Sequence, residues 1–175
     1  MQDGHASSEL ATGPGLQFRL AGIDDYSTIR HVHASAVRAL NERLIDQGDV
    51  ALAVATIYSA AYVSDLIAKS THVAMLNGDI IGTCAWSATD DRGLSARISA
   101  LFVLPLFQGR GFARQLIQHT ELEAARHGYT RFTAIVPVAM TPLYDQLDYT
   151  TTSFGTSRDV VPGVAVQVAF VRKPG

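Results

Sequence analysis

The sequence has few of the residues that give a small chain covalent or strongly electrostatic handles. Among its 175 residues there is one cysteine, Cys84, and one tryptophan, Trp86; charged residues make up 17%, and the formal net charge is −2. A lone cysteine excludes an internal disulfide and a cysteine-rich zinc site. No basic stripe is present, so the electrostatic footprint of a nucleic-acid binder is missing and no such partner is expected. No apolar run approaches the roughly 20 residues of a membrane span, so no membrane partner is expected either. The opening residues lack the basic-then-apolar order of a secretion signal, which makes a cytoplasmic location the expectation.

What the chain has is a hydrophobic content of 47%, enough for one sizeable core. Residues 1–15, rich in Gly, Ser and Ala with Asp3 and Glu9, are expected to form a flexible tail. Residues 16–175 are expected to form a single domain, with no internal repeat and no second boundary.

The hydrophobic period gives the element order. A short strand at Phe18–Leu20 precedes a helix from Tyr26 to about Leu40, for which Asp24 and Asp25 are candidate caps. A second helix is expected from Val50 to Lys69. The period then shortens to two: His72–Leu76 and Ile80–Ser87 flank Asn77-Gly78, a strong hairpin signal because both central residues of such a turn take φ > 0. Arg97–Val103 is a third strand of this meander, entered through the turn Asp90–Gly93. A helix from Gly111 to His127 is stopped by Gly128. Arg131–Val136 is a strand, Thr141–Leu147 a short helix, and Thr150–Ser157 and Val164–Val171 are closing strands joined by Pro162-Gly163. The order predicts a mixed α+β fold: a mostly antiparallel, twisted central sheet flanked by helices.

The functional signal lies where the third meander strand meets the long helix. Behind Leu101-Phe102-Val103-Leu104-Pro105 stands Gln108-Gly109-Arg110-Gly111-Phe112-Ala113-Arg114. A strand ends, the backbone turns on two glycines, and a helix begins, so several N–H groups without partners converge on an anion site. An ATP-type loop would need Lys-Ser or Lys-Thr where Phe112-Ala113 stand. A dinucleotide fingerprint would need a small residue at Arg114 and an acid on a following strand.

Gln108-x-x-Gly111-x-Ala113, behind Val103-x-Pro105, resembles the acetyl-CoA signature of the GCN5-related N-acetyltransferase superfamily, and the likeness extends over roughly residues 18–172. The resemblance implies acetyl-CoA as acyl-donor cosubstrate and direct transfer of its acetyl group to an amine, without a metal. Gln108, Gly109, Arg110, Gly111, Phe112 and Ala113 would cradle the pyrophosphate through backbone amides, Arg114 would extend the site, and Phe102 and Val103 would offer strand backbone to the pantetheine arm. Leu143-Tyr144-Asp145-Gln146-Leu147-Asp148-Tyr149 is similar to the family's Leu-Tyr-x-x-x-Gly-Phe, with Asp148 for Gly and Tyr149 for Phe. It implies that Tyr144 protonates the departing thiolate.

The chain departs from the family pattern twice. No Asn stands in Pro137–Thr141, and the strand Arg97–Leu101 carries no carboxylate to act as base; Ser99 there could hold a water. These gaps keep open an alternative, a non-catalytic acyl-CoA-binding or sensing domain. The alanine-rich, nearly uncharged helices between Tyr26 and Lys69 are expected to wall a pocket for a small-molecule amine. Cys84 and Trp86 are expected in the core, Glu121 and Glu123 on a solvated face, and His72 in an exposed or structural position. His31 and His33 are expected on opposite sides of their helix, with no metal pair. The apolar stretch Val164–Val171 is expected at a sheet edge that could pair with a second copy.

Overall fold

The sheet grows from the Asn77-Gly78 turn, whose residues take φ of 52° and 91° and fold β2 (Ser70–Leu76) back on β3 (Asp79–Ala88). The computed structural model describes residues 15–40 and 44–175, so the expected tail lies, Gly15 apart, outside the described residues. β1 (Leu16–Leu20) adds to β2, and β4 (Ser95–Val103) to β3, all antiparallel. β4 then runs parallel to β5 (Arg131–Pro137), a pairing that needs a crossover, supplied by α4 (Phe112–Arg126). β6 (Thr150–Val161) and β7 (Val164–Lys173) complete a sheet of order β1-β2-β3-β4-β5-β7-β6.

Successive β2 residues point to opposite faces and define two layers of helix. Val73 packs with Ile29 and Val32 of α1 (Tyr26–Arg38), whereas Ala74 shares the main core with Leu116 and Ile117 of α4. The close approach of α4 is set at Gly82: a Cβ there would meet a Leu116 methyl and the Phe102 carbonyl, each at 2.9 Å.

Three expectations are corrected. The helix foreseen from Val50 to Lys69 is two helices, α2 (Gln47–Ile57) and α3 (Ala60–Ala68), bent by 64°. Ser59 makes the break: its hydroxyl donates to the Thr56 carbonyl and accepts from the Tyr62 N–H, ending one helix and capping the next. The apolar stretch Val164–Val171 is not an edge; β7 lies between β5 and β6, and the edge at that end of the sheet belongs to β6. Glu121 is not on a solvated face but buried, accepting from the Tyr149 hydroxyl at 2.7 Å and from Lys173 at 2.9 Å. Asp25 precedes α1 as foreseen, but its carboxylate accepts from Gly22 N–H and pairs with Arg19, which holds it below the usual carboxylate range.

The short helix α5 (Thr141–Asp145) closes through two reversed bonds, Asp148 N–H to Asp145 C=O and Tyr149 N–H to Tyr144 C=O. This closure forces Asp148 to a φ of 66°, at the position where the related pattern carries glycine. Asp148→Gly should therefore raise unfolding stability by about 1 kcal/mol, as measured by urea denaturation.

Candidate active site

The β4–β5 ladder ends early. Its pairs run only from Ser95↔Arg131 to Ile98↔Ala134, although β4 continues to Val103 and β5 to Pro137. Beyond Ile98 β5 stays paired with β7, while β4 carries a bulge: Ala85 opposes Ser99 and Thr83 opposes Phe102, with Ala100 at a φ of 50°. The two strands part, and a cleft of about 890 Å³ opens between them.

One arm of the cleft is the Gly-rich turn. Phe102, Val103, Gln108, Gly109, Gly111, Phe112, Ala113, Arg114 and Tyr144 all line the cleft. Arg110, grouped with them in sequence, does not; its guanidinium sits 5.6 Å from the Phe107 ring centre. Gly109 and Gly111 take φ of 74° and 84°, and a Cβ on either would meet nothing within 4 Å. Glycine is needed there for the turn, and the space in front of it stays open. Among the described residues, none of the amides from Gly109 to Arg114 finds a backbone partner. The Gln108 amide is different: its backbone N–H bonds Pro105, and its side chain donates to the Val103 carbonyl at 3.0 Å. Gln108 therefore clamps the turn to β4, and the Val103 carbonyl is already engaged. Arg114 also donates to the Gln146 side chain at 3.3 Å, tying α4 to the end of α5.

Tyr144 lies at the foot of this arm. Its ring meets Tyr149 edge-on at 5.1 Å, and the Tyr149 hydroxyl is fixed by Glu121 and, through it, by Lys173. Burial raises the Tyr144 phenol well above its ordinary pKa, so it keeps its proton. Among the described residues no side chain accepts from its hydroxyl.

The other arm is enclosed by α1, α2, α3 and the β6–β7 turn, with Val37, Thr56, Tyr62, Asp65, Arg158 and Val161 among its walls. Its floor holds a chain of polar groups that the sequence did not bring together. His33, fully buried, lies 2.7 Å from the Tyr62 hydroxyl through Nδ1 and 2.8 Å from the Thr83 hydroxyl through Nε2. The Thr83 hydroxyl donates to the Ala100 carbonyl at 2.8 Å, inside the bulge. The His33 ring also stacks on Phe102 at 4.0 Å. His33 carried a signal: it falls at i+4 from Ile29 and i−4 from Val37, a histidine within an apolar stripe. Tyr62 carried none, because its place depends on the Ser59 break. Ser99 Oγ, foreseen as a water holder, belongs to a cleft-lining residue and is buried without a partner.

The remaining candidates fall outside the cleft. Cys84 is in the core, its thiol pushed up to about 12 by burial. Trp86 is in the core against His127 and Tyr129. His72, buried on β2, faces His119 at 3.3 Å. Among the described residues no three His, Cys, Asp or Glu side chains gather as a metal-binding set, and no single helix is long and apolar enough to cross a membrane.

Comparison with known proteins agrees with this geometry. Residues 28–169 match the family described as Acetyltransferase (GNAT) domain. No curated protein matches the chain. A GCN5-related N-acetyltransferase from Rhodopseudomonas palustris superposes with a TM-score of 0.75 at 18% identity, covering 91% of this chain and 95% of its own. The PaiA N-acetyltransferase of Thermoplasma acidophilum, solved with coenzyme A, gives 0.75 at 12% identity over 91% and 99%. YncA of Salmonella typhimurium, solved with acetyl-CoA, gives 0.63 at 21% identity over 91% and 94%. At these identities the likeness is one of fold.

The buried histidine makes stability depend on pH. Burial, with Lys69 nearby, lowers His33 to about 3, whereas in the unfolded chain it titrates near 6.5. Below pH 6.5 the unfolded chain takes up a proton that the folded one refuses, so stability is lost as pH falls towards 3. Between pH 7 and 5 wild type should lose about 2 kcal/mol more than His33→Gln, as read by urea denaturation.

Proposed function

The chain belongs to the GNAT acetyltransferase family, and on that premise we propose that it transfers the acetyl group of acetyl-CoA directly to an amine of a small acceptor. The observation that carries this reading is the row of amides from Gly109 to Arg114 without backbone partners, on residues that, Arg110 apart, line the same cleft as Tyr144.

The residues fit the cosubstrate. Two positive-φ glycines leave open space before the free amides, where a pyrophosphate accepts several hydrogen bonds at once. The Arg114 guanidinium, at the mouth of α4, adds charge-assisted bonds. The part of β4 without a β5 partner offers its edge to an extended arm, as a sheet edge accepts an added strand. The thioester, when bound, supplies an activated acyl carbon.

The chain's own groups then handle protons. Transfer forms one N–C bond, breaks one C–S bond, removes a proton from nitrogen and adds one to sulfur. Tyr144 holds a proton at its hydroxyl at any ordinary pH and is the donor towards sulfur. No carboxylate stands on β4, and Ser99 Oγ is buried and unpartnered, so the proton leaving nitrogen passes to solvent water in the open cleft. A small acceptor is favoured because α1–α3 and the β6–β7 turn close around this arm.

The test is acetyl-CoA consumption, read as free thiol, across a panel of amines, amino acids, polyamines and peptides. Thiol release with small amines is expected; acetylation of peptides alone overturns the small-acceptor reading. Binding of acetyl-CoA without release for any amine identifies a sensing domain instead. Tyr144→Phe should lower kcat roughly a hundredfold while the acetyl-CoA Kd stays within about twofold. Gly111→Ala should weaken acetyl-CoA binding about fivefold or more in calorimetry and lower stability by about 1 kcal/mol, because alanine is strained at that φ.

A further inference from the structure

The polar chain on the floor of the acceptor arm has a fixed direction. Thr83 has one hydroxyl proton, and it goes to the Ala100 carbonyl at 2.8 Å. Towards His33 the Thr83 oxygen can therefore only accept, so Nε2 of His33 carries a proton and donates it. In a neutral imidazole Nδ1 is then a bare lone pair, which accepts from the Tyr62 hydroxyl at 2.7 Å. Burial keeps the ring neutral, and it raises the Tyr62 phenol above its ordinary pKa, so neither end of this bond ionises. Donation runs from Tyr62 to His33, from His33 to Thr83 and from Thr83 to the Ala100 carbonyl, without a gap.

The consequence falls on the Tyr62 oxygen. Its proton is committed inward, and its lone pairs are what remain for any ligand in the cleft that Tyr62 lines. A group seated there must be a hydrogen-bond donor; a carbonyl, ether or thioether would face oxygen lone pairs. Resting on the acetyl-transfer reading above, we propose that Tyr62, held by His33 and Thr83, is the acceptor-binding residue that takes an N–H of the incoming amine. The same chain ends on the Ala100 carbonyl in the bulge, and its histidine stacks on Phe102, so it ties the acceptor floor to the stretch of β4 where the cleft opens. Tyr62 touches the acceptor; His33 and Thr83 are positioning residues that set which way its hydroxyl points.

The test uses the full-length protein and an amine that wild type acetylates. Tyr62→Phe keeps the ring and removes the oxygen; the acceptor KM should rise about tenfold while the acetyl-CoA KM changes little, and the melting temperature should fall by a few degrees because Nδ1 of buried His33 loses its partner. Thr83→Val removes the acceptor of the Nε2 proton, frees His33 to protonate Nδ1 and reverses the bond to Tyr62; it should raise the acceptor KM similarly, and Thr83→Ser should restore it. Nitrogen-15 NMR of the His33 ring should show the Nε2–H form in wild type and loss of that preference in Thr83→Val. An acceptor KM within twofold of wild type in Tyr62→Phe, or an Nδ1–H ring in wild type, overturns the proposal while acetyl transfer stands. A wild-type protein that releases thiol with no amine overturns acetyl transfer, and the acceptor role of Tyr62 with it.

Discussion

The site depends on one pairing that stops short. Parallel strands β4 and β5 are joined only from Ser95 to Ile98, and the candidate site lies where they are no longer joined. Two local causes act together. Ala100 puts an extra residue into β4 opposite β3, which bends the strand, while β7 keeps β5 straight along its other side as far as Pro137. Had the ladder continued, backbone hydrogen bonds would fill the space that the cleft occupies. The unpaired backbone is affordable only beside a cavity, since buried amides without partners are costly.

Each arm of the cleft is backed by a buried polar assembly, and the two are built differently. Below the Gly-rich arm, Glu121 bridges Tyr149 and Lys173, so a carboxylate inside the core has both oxygens engaged. Its effect on the site is mechanical: Tyr149, held at its hydroxyl, keeps its ring nearly perpendicular to that of Tyr144. Below the arm walled by α1, α2 and α3 the assembly is neutral and directional. Burial depresses His33 and leaves a rigid relay of single protons in place of an ion pair. Removing one member of either assembly leaves the others buried and unsatisfied, which costs more than the bond itself.

The sequence made legible what is decided over a few residues. Asn77-Gly78, the turn from Gln108 to Arg114 and the stop at Gly128 depend on local φ and hydrogen bonding, and each lies where the pattern put it. What was not legible depends on partners far along the chain. Ser59 is ordinary inside a helical pattern until Thr56 and Tyr62 use it from both sides. Glu121 has the look of a surface charge unless Lys173 and Tyr149, on other elements, are known to meet it. The apolar run of β7 suits an edge or a central strand equally, and strand order decides between them. His33 lay between these cases, since its place on an apolar stripe was visible but Thr83, fifty positions on, was not.

The single tryptophan gives the molecule an internal gauge. Trp86 sits on β3 in the main core, away from the lining of the cleft, with its indole N–H buried and unpartnered and with Tyr129 and the imidazole of His127 about 5 Å away. Both neighbours directly follow α4, so the indole's surroundings register how that helix end is seated on the sheet. Emission from this protein is thus a one-site report on the scaffold. Changes in it mark loosening of the α4–sheet contact and are separable from events in the cleft at the other end of the same helix.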